Sequence, residues 1–458
     1  MQIHGAYTRG IQGHLFTVSA APNRAGRLHI AGVRDTVAQQ TATTVTHALK
    51  RLGIGDIGTD VRLEPAGAAD PPLATGRYSG TLDLPIALAV LAIAGKLPVD
   101  RIADVVAVGG LDPYAANESA GVRCISAGGT TAIAHAAGAR GLRLIVAEDQ
   151  AAAACAECRE TTGATTLEEL VAVLAGHQGG EPLPHRTAAV KRRDPGTWRI
   201  SEGDLRALEI ACAGWHNIHV IGPDSRSLPQ YGRIAQALLP DLAGEAARET
   251  TTIHGVAGLM APWTARITEP PLRVPHCTAA RGAVAGSRGR PGEVNLAHNG
   301  VLVIDQPTEF DRDAAEVLVA VAVDGQTVMY RYTPVEHTIR MPARFRLMVT
   351  TRPDELDARR HRAADLLELC DIEITGGMPT DAAMSPERLH PGRERVARAA
   401  AILEGAPPRL IGGRAAYDTP SRRIRAVAQT VAALDGRRQL ESEDLAEAER
   451  LLHRGDRG

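Results

Sequence analysis

The 458-residue chain contains very little lysine. Lysine and arginine together number 51, but the only lysines are Lys50, Lys96 and Lys191. Arginine therefore supplies almost all of the positive charge. No side chain after position 191 carries an ammonium group. This absence excludes a lysine base, a lysine nucleophile and a lysine contact to phosphate from the whole second half of the chain.

Aromatic residues and net charge are also scarce. Phe, Trp and Tyr make up 3% of the residues, and the formal charge is −2. A surface on which nucleic-acid bases stack needs several aromatic rings, so this composition argues against one. The near-neutral balance gives no overall attraction to nucleic acid, although charge can still be concentrated on one face.

Long apolar runs are missing as well. No run reaches the roughly 18 to 20 residues that a membrane helix needs, and the start, MQIHGAYTRGIQGHLF, lacks the basic end and apolar middle of a signal peptide. The six scattered cysteines suit a reducing compartment. We therefore expect a cytoplasmic protein with no membrane partner. Cys155 and Cys158 form one CxxC pair, but no second pair follows at useful spacing, so we expect no metal site.

The first 175 residues alternate short apolar runs with Ala-rich stretches, which predicts one α/β domain. The pattern predicts a buried helix over 84–97, a strand over 105–111, a helix over 130–139 and a strand over 142–147. Residues 176–197 have the Gly, Pro and charge content of a linker.

The rest of the chain predicts a parallel sheet followed by helices. Apolar, β-rich runs over 217–221, 301–305 and 344–351 are separated by long segments, which favours strands joined by crossover helices. From about 376 the pattern becomes helical, and the clearest amphipathic helices cover 422–434 and 442–452. We therefore predict a sheet domain over 198–375 and a small helical domain over 376–458, an arrangement typical of ring-forming ATPases.

Four segments carry a resemblance to a known family. The segment 291–310, PGEVNLAHNGVLVIDQPTEF, resembles the Walker B region of magnesium-chelatase-like AAA+ proteins of the ComM/YifB group. The segment 271–280, PLRVPHCTAA, is similar to that group's arginine and paired-histidine insert, with Cys277 where a second histidine usually stands. Residues 205–223 resemble the segment that leads into the family's phosphate loop. Residues 81–97 resemble the signature of the family's N-terminal domain. The resemblance therefore extends over both halves of the chain.

The resemblance implies the fold of each part. The N-terminal domain is expected to have the α/β fold shared by Lon protease and ribosomal protein S5, followed by an AAA+ P-loop-type parallel α/β sheet domain with a C-terminal helical lid. Ser79, in the sequence YSGT, falls near the position of a Lon-type nucleophile. A Ser–Lys dyad also needs a lysine, and none lies between Lys96 and Lys191, so we expect a turn serine and no protease activity.

The phosphate loop of the family reads G-x-x-x-x-G-K-[ST], because glycines expose backbone N–H groups, lysine neutralises phosphate and the hydroxyl holds Mg²⁺. In this register Gly222 is kept, whereas Ser227 replaces the second glycine, Leu228 replaces lysine and Pro229 replaces the hydroxyl residue. We expect only a remnant of a nucleotide site. Its residues are Gly222, Pro223, Asp224, Ser225, Arg226, Ser227, Leu228 and Pro229.

The other positions that the family uses for hydrolysis change in the same direction. Asp305 keeps the Walker B aspartate, but Gln306 stands where the family has glutamate and cannot act as a base for water. Arg352 takes the place of the sensor asparagine. Leu369 occupies the arginine-finger position, and Thr419 the sensor-arginine position ahead of the last helices. No catalytic position is expected to be intact.

Three functions remain open from the sequence. The chain is either a non-hydrolysing scaffold or regulatory protein, an ATP-binding ComM-like protein that acts in DNA branch migration during DNA uptake, or a DNA-binding module without motor activity. The third function has some support because ten arginines and four acids lie between 389 and 440, with Arg422, Arg423 and Arg425 on one helix. We expect no cofactor, or ATP with Mg²⁺ only if the remnant still binds. A homo-oligomer, a hetero-oligomer with an intact paralogue, and DNA are the candidate partners.

Overall fold

The computed structural model describes residues 1–67, 70–71, 73, 80–114, 121–176, 200–222, 228–331, 337–353, 360–376, 386–404 and 420–452. The chain divides into two compact units. Unit one comprises Met1–Val190 and Ala247–Ile267, and unit two comprises Lys191–Ala246 and Thr268–Gly458. The predicted linker lies almost entirely outside the described residues.

Unit one is an α/β unit built on a mixed sheet. The described strands are β1 (Gln2–Arg9), β2 (Gln12–Pro22), β3 (Leu28–Ala31), β4 (Thr59–Pro65), β5 (Val105–Ala107), β6 (Gly110–Asp112), β7 (Arg123–Ile125), β8 (Arg143–Ala147) and β9 (Thr161–Ala164). Seven of them form the sheet in the order β3-β4-β2-β1-β5-β8-β9, and β6 and β7 form a separate hairpin. The helices are α1 (Asp35–Arg51), α2 (Asp83–Ile93), α3 (Thr130–Gly138), α4 (Glu148–Cys155) and α5 (Leu167–Leu174), with most of α8 (Gly244–Ala257).

Helix α2 forms the centre of this unit. Every residue from Leu84 to Ala92 is buried, as expected for a helix that is apolar on all sides. Its first residue, Asp83, accepts a hydrogen bond from the Leu111 N–H at 3.2 Å. Burial raises the pKa of Asp83 to about 6, because a carboxylate loses its hydration there. The predicted buried helix is confirmed, with its end near Ile93.

The predicted strand over 105–111 is wrong in one respect, because two short strands occupy that stretch. β5 joins the large sheet between β1 and β8, while β6 leaves it and pairs with β7 in the separate hairpin. The bond from the Leu111 N–H to Asp83 draws the second half of the run towards α2. The pair Gly109–Gly110 interrupts the apolar run, so a signal for this bend was present in the sequence, and Gly109 has a positive φ.

Unit two contains a five-stranded sheet in the order β11-β12-β15-β10-β16, and each of its neighbouring pairs is parallel. Its strands are β10 (Ile218–Ile221), β11 (Leu272–Arg273), β12 (Val301–Asp305), β15 (Arg346–Thr351) and β16 (Ile372–Thr375), besides the hairpin β13 (Gln326–Arg331) and β14 (His337–Pro342). The helices are α6 (Glu202–Gly214), α7 (Leu228–Leu238), α9 (Arg281–Ala285), α10 (Glu293–Leu296), α11 (Arg312–Asp324), α12 (Arg360–Leu367), α13 (Pro386–Glu404), α14 (Pro420–Leu434) and α15 (Ser442–Leu452). The predicted parallel sheet with crossover helices is confirmed.

The two faces of this sheet pack against different helices. Alternation along a strand sends Val301 and Val303 to one face and Leu302 and Ile304 to the other. The first face shares a core with α6, α7 and the C-terminal helices, and the second shares a core with α11 and α12. The predicted helices over 422–434 and 442–452 correspond to α14 and α15. Their apolar stripes enter the first of these cores.

A buried ion pair fixes α13 to α6. Glu209 accepts from Arg395 at both oxygens, at 2.5 Å from Nη2 and 3.2 Å from Nε. Gly392, one helical turn away, allows this approach, because a Cβ there would lie 2.8 Å from Glu209 Oε1. In the part of the chain that the structure describes, no helix has the length and apolar character that crossing a membrane requires.

Candidate nucleotide-type site

The candidate site lies at the carboxyl edge of the sheet in unit two. Because neighbouring strands are parallel, their last residues meet at one edge, and Ile221, Asp305, Thr351 and Thr375 all end there. Open parallel sheets bind ligands at this edge, where strand order reverses. Here the reversal falls at β10, which lies between β15 and β16.

Helix α7 follows β10 along the chain, the order in which a phosphate loop joins a strand to a helix. The Gly222 N–H donates to the Thr351 carbonyl at 3.1 Å, and the Gly376 N–H donates to the Ile221 carbonyl at 2.7 Å, which closes the edge on both sides of β10. Helix α7 then begins at Leu228. The predicted remnant residues between them, 223–227, lie outside the described residues. Leu228 and Pro229 open the helix, at the position where a phosphate loop places its lysine and hydroxyl residue.

Asp305 is held by the neighbouring strand. Thr350 is its register partner on β15 and donates from Oγ1 to Asp305 Oδ1 at 2.7 Å. Thr350 is fully buried, whereas Asp305 is half-buried. Both residues lie on the face of the sheet that packs against α7. One carboxylate oxygen is therefore engaged inside the protein, next to the helix that follows the loop.

Gln306 leaves the strand in a left-handed conformation, with φ at 52°. Its N–H donates to the Thr350 carbonyl at 3.3 Å, and a short 3₁₀ helix, Pro307–Glu309, follows directly. For a residue other than glycine this conformation costs about 1 kcal/mol, which the flanking bonds must offset. The site therefore has a neutral amide at a strained position beside Asp305.

The remaining predicted site residues do not all gather here. Arg352 follows β15 directly and is half-buried at the same edge. Leu369 precedes β16, so it lies at the amino edge, and its carbonyl accepts from Asn217 Nδ2 at 2.9 Å. The Leu369 side chain packs against the core of its own chain. Thr419 lies outside the described residues, as does Ser79 in unit one.

A polar group beneath the edge was not predicted. His219 Nε2 lies 2.8 Å from Thr351 Oγ1, and His219 Nδ1 lies 3.6 Å from Glu373 Oε2, so one imidazole connects three neighbouring strands. The signal was present in the sequence, because a histidine interrupts the apolar run IHVI at a single position. On the side of the sheet near α6, Tyr231 donates to Asp204 at 2.8 Å, and burial together with this carboxylate raises the pKa of Tyr231.

The predicted basic surface is only partly available. Arg422 and Arg425 are exposed on α14, while Arg423 donates to the Glu368 carbonyl at 3.0 Å. Other arginines of the same region are engaged within the fold, namely Arg393 with the Ala237 carbonyl, Arg395 with Glu209 and Arg437 with Asp444. Among the described residues, no group of three or more His, Cys, Asp or Glu side chains is arranged to hold a metal ion.

Comparisons with known proteins agree with this architecture. The family model described as magnesium chelatase, subunit ChlI, matches residues 201–365. The chain is 31% identical over 336 residues to the uncharacterised protein YifB of Escherichia coli, an alignment that covers 71% of this chain and 62% of YifB. It is 27% identical over 354 residues to an uncharacterised protein of Mycobacterium tuberculosis, covering 75% of this chain and 67% of that protein.

A third relative is the competence protein ComM of Haemophilus influenzae, which is 29% identical over 308 residues, covering 64% of this chain and 56% of ComM. The chain thus spans between about half and two thirds of the length of these relatives. A solved structure of the BchI and BchD subunits of magnesium chelatase overlaps 55% of this chain and 93% of that chain, with 18% identity. Its TM-score of 0.31 supports no transfer of function. On the family match and the sequence relatives, the chain belongs to the magnesium-chelatase-like AAA+ proteins of the ComM/YifB group.

Proposed function

We propose that this protein is a non-hydrolysing member of its family that acts as a scaffold or regulatory protein. The observation that carries the proposal is the start of α7 at Leu228, as the next described element along the chain after β10. The first turn of this helix is where a phosphate-binding lysine belongs, and a leucine side chain has no charge to offer. The sequence has no lysine after Lys191, so no later residue can replace the missing phosphate-binding lysine.

The carboxylate and its neighbour support the same proposal. Asp305 accepts from Thr350 at 2.7 Å, so one of the oxygens that a Walker B aspartate directs towards Mg²⁺ is engaged within the sheet. Gln306 next to it cannot accept a proton from an attacking water. The edge therefore lacks a cation for the phosphates and a base for hydrolysis.

These residues fit a metal–triphosphate poorly. The Gly222 N–H already donates to the Thr351 carbonyl at 3.1 Å, so a triphosphate would meet the first turn of α7 without a lysine, and Pro229 in that turn has no N–H to offer. Asp224 adds negative charge to the loop. Nucleotide binding is therefore expected to be weak or absent.

Calorimetric titration with Mg·ATP tests the proposal. We expect no heat of binding for the unmodified chain at micromolar concentrations, and measurable binding after Ser227→Gly, Leu228→Lys and Pro229→Thr are introduced together. A matched control carries Ser227→Gly and Pro229→Thr and retains Leu228. Submicromolar binding by the unmodified chain would contradict the proposal, and equal binding by the control would show that the lysine is not the missing group.

Assembly is proposed to be independent of nucleotide. An AAA+ ring normally places an arginine finger of one subunit at the phosphate on the next, and here Leu369 stands at that position and packs in its own chain. Any homo-oligomer therefore relies on direct protein contacts, or an intact paralogue supplies the missing site. Light scattering with and without Mg·ATP is expected to give one unchanged mass. A stable hexamer formed only with ATP would contradict this assignment.

A DNA-binding role is the second candidate, because Arg422 and Arg425 are exposed near the start of α14. Each phosphate contact that such a side chain makes releases a counterion and steepens the salt dependence of binding. The relative named as a competence protein makes DNA uptake the process in which to seek this role. Neighbouring genes for DNA uptake would favour this role, whereas a neighbouring intact copy of the family would favour the scaffold role.

A further inference from the structure

The CxxC pair of unit one lies on a single helical turn. Cys155 ends α4, and the N–H groups of Glu157 and Cys158 both donate to the Ala154 carbonyl, at 3.0 and 2.8 Å, so the turn continues past the helix. Both cysteines are free thiols. Side chains three residues apart on a turn have Cβ atoms about 5 to 6 Å apart. A disulfide needs about 3.5 to 4.5 Å, so closing one would tighten this turn by about 1 to 2 Å.

The two thiols differ in burial. Burial raises the pKa of Cys155 and of Cys158, and a hydrogen bond with the Thr161 side chain opposes the rise in both. Cys158 is buried, and its Sγ donates to the Leu142 carbonyl at 3.4 Å, while Cys155 is only half-buried. Cys155 is therefore the thiol that an oxidant reaches first, and because the pKa of each thiol is raised, the oxidation is expected to be slow at neutral pH.

The two residues between the cysteines hold an arginine. Arg266 Nη2 donates to the Ala156 carbonyl at 3.2 Å and to Glu157 Oε1 at 2.6 Å. The Glu157 side chain is 7% exposed and also lies 3.3 Å from His135 Nδ1. Arg266 is near the end of the segment Ala247–Ile267, which belongs to unit one although the chain enters and leaves it from unit two.

We propose that Cys155 and Cys158 form a reversible disulfide, and that its closure releases Arg266 and loosens the end of the segment Ala247–Ile267. A peroxide first oxidises the Cys155 thiol to a sulfenic acid and is itself reduced to an alcohol or water. The Cys158 thiol then attacks that sulfur, so the S–S bond forms, the S–O bond breaks and water leaves. A dithiol reductant reverses the change.

The consequence is confined to one end of the segment. Its other anchors do not involve the turn, because the Trp263 N–H donates to the Asp149 carbonyl at 2.7 Å and the Gly129 N–H donates to the Gly255 carbonyl at 3.1 Å. Loss of a charge-assisted bond at Arg266 is expected to speed local hydrogen exchange about tenfold near Ile267. Exchange around Gly255 is expected to stay unchanged.

Hydrogen exchange of the full chain before and after treatment with hydrogen peroxide tests this inference, with peptide mapping to locate the disulfide. The expected result is a Cys155–Cys158 bond, faster exchange near Ile267, and recovery with dithiothreitol. Cys155→Ser is expected to abolish the response. Glu157→Gln is expected to show fast exchange already when reduced, with little further change on oxidation. Failure of the bond to form, or a bond that leaves exchange near Ile267 unchanged, would overturn the inference.

Discussion

The ion pair between Glu209 and Arg395 predicts an asymmetric response to mutation. The Glu209 side chain is 3% exposed, whereas that of Arg395 is 38% exposed. Removing Arg395 leaves a carboxylate buried without its cation, a situation that typically costs 3 to 5 kcal/mol. Arg395→Ala is therefore expected to lower the free energy of unfolding by about 3 kcal/mol, near the bottom of that range, because water reaches the space that the guanidinium leaves.

The reverse substitution is expected to be milder. Glu209→Gln keeps the shape and an acceptor, and the partly exposed guanidinium of Arg395 can regain water, so we expect a loss of about 1 kcal/mol. The double variant is expected to resemble Glu209→Gln alone, because no charge is then left buried. The coupling energy is about 2 to 3 kcal/mol by this reasoning.

Urea unfolding followed by far-ultraviolet circular dichroism measures all three variants under one set of conditions. A helical probe is appropriate because the pair joins α6 to α13. Equal losses for the two single variants, or a double variant whose loss is the sum of both, would refute the argument from burial.

Three further predictions concern other groups. Burial raises the pKa of Asp83 to about 6, above the ordinary carboxyl value of about 4, so the free energy of unfolding falls as pH rises from about 4 through 6, by about 2 to 3 kcal/mol. Asp83→Asn should stabilise the protein at pH 7.5 and flatten that pH dependence in urea unfolding. Arg346 is buried, donates from Nε and Nη2 to the Cys212 carbonyl and lies 3.8 Å from the centre of the Trp215 ring. Arg346→Lys should lower the free energy of unfolding by about 2 kcal/mol and alter tryptophan fluorescence, because an ammonium group cannot reproduce the two-nitrogen contact of the guanidinium. If α14 binds DNA, the double variant Arg422→Gln, Arg425→Gln should bind DNA more weakly in a filter-binding assay. The slope of the logarithm of the binding constant against the logarithm of salt concentration should fall in magnitude by about 2, whereas Arg393→Gln, at an arginine engaged within the fold, is the matched control and should change binding little.

Much of unit two was predictable because its strands are short, apolar and separated by clear helical patterns. The strand over Val301–Asp305 and the helix over Ser442–Leu452 were predicted with the same bounds that the structure has. The break between Ala107 and Gly110 was missed although Gly109 and Gly110 interrupt the apolar run there. What the local sequence does not reveal is the partner of the strand that turns away, since the Leu111 N–H donates to Asp83, more than twenty positions away in the chain.

The candidate site was predictable in position and not in its internal contacts. The sequence placed Asp305 and Arg352 at strand ends, and parallel pairing brings them to one edge. The bond from Thr350 to Asp305 depends on strand register, which no local pattern specifies. Leu369 was identified through a family motif for a finger that acts on the neighbouring subunit, and its position at the amino edge, ahead of β16, is consistent with a residue that does not serve its own site.

Steady-state phosphate release by the purified, unmodified chain with Mg·ATP, in the presence and absence of DNA, tests the central proposal most directly. The Asp305→Ala variant and a mock purification serve as matched controls. The proposal predicts that all three preparations release phosphate at the same background rate, because Leu228 supplies no cation and Gln306 supplies no base. Release that exceeds the mock purification and disappears with Asp305→Ala would contradict it.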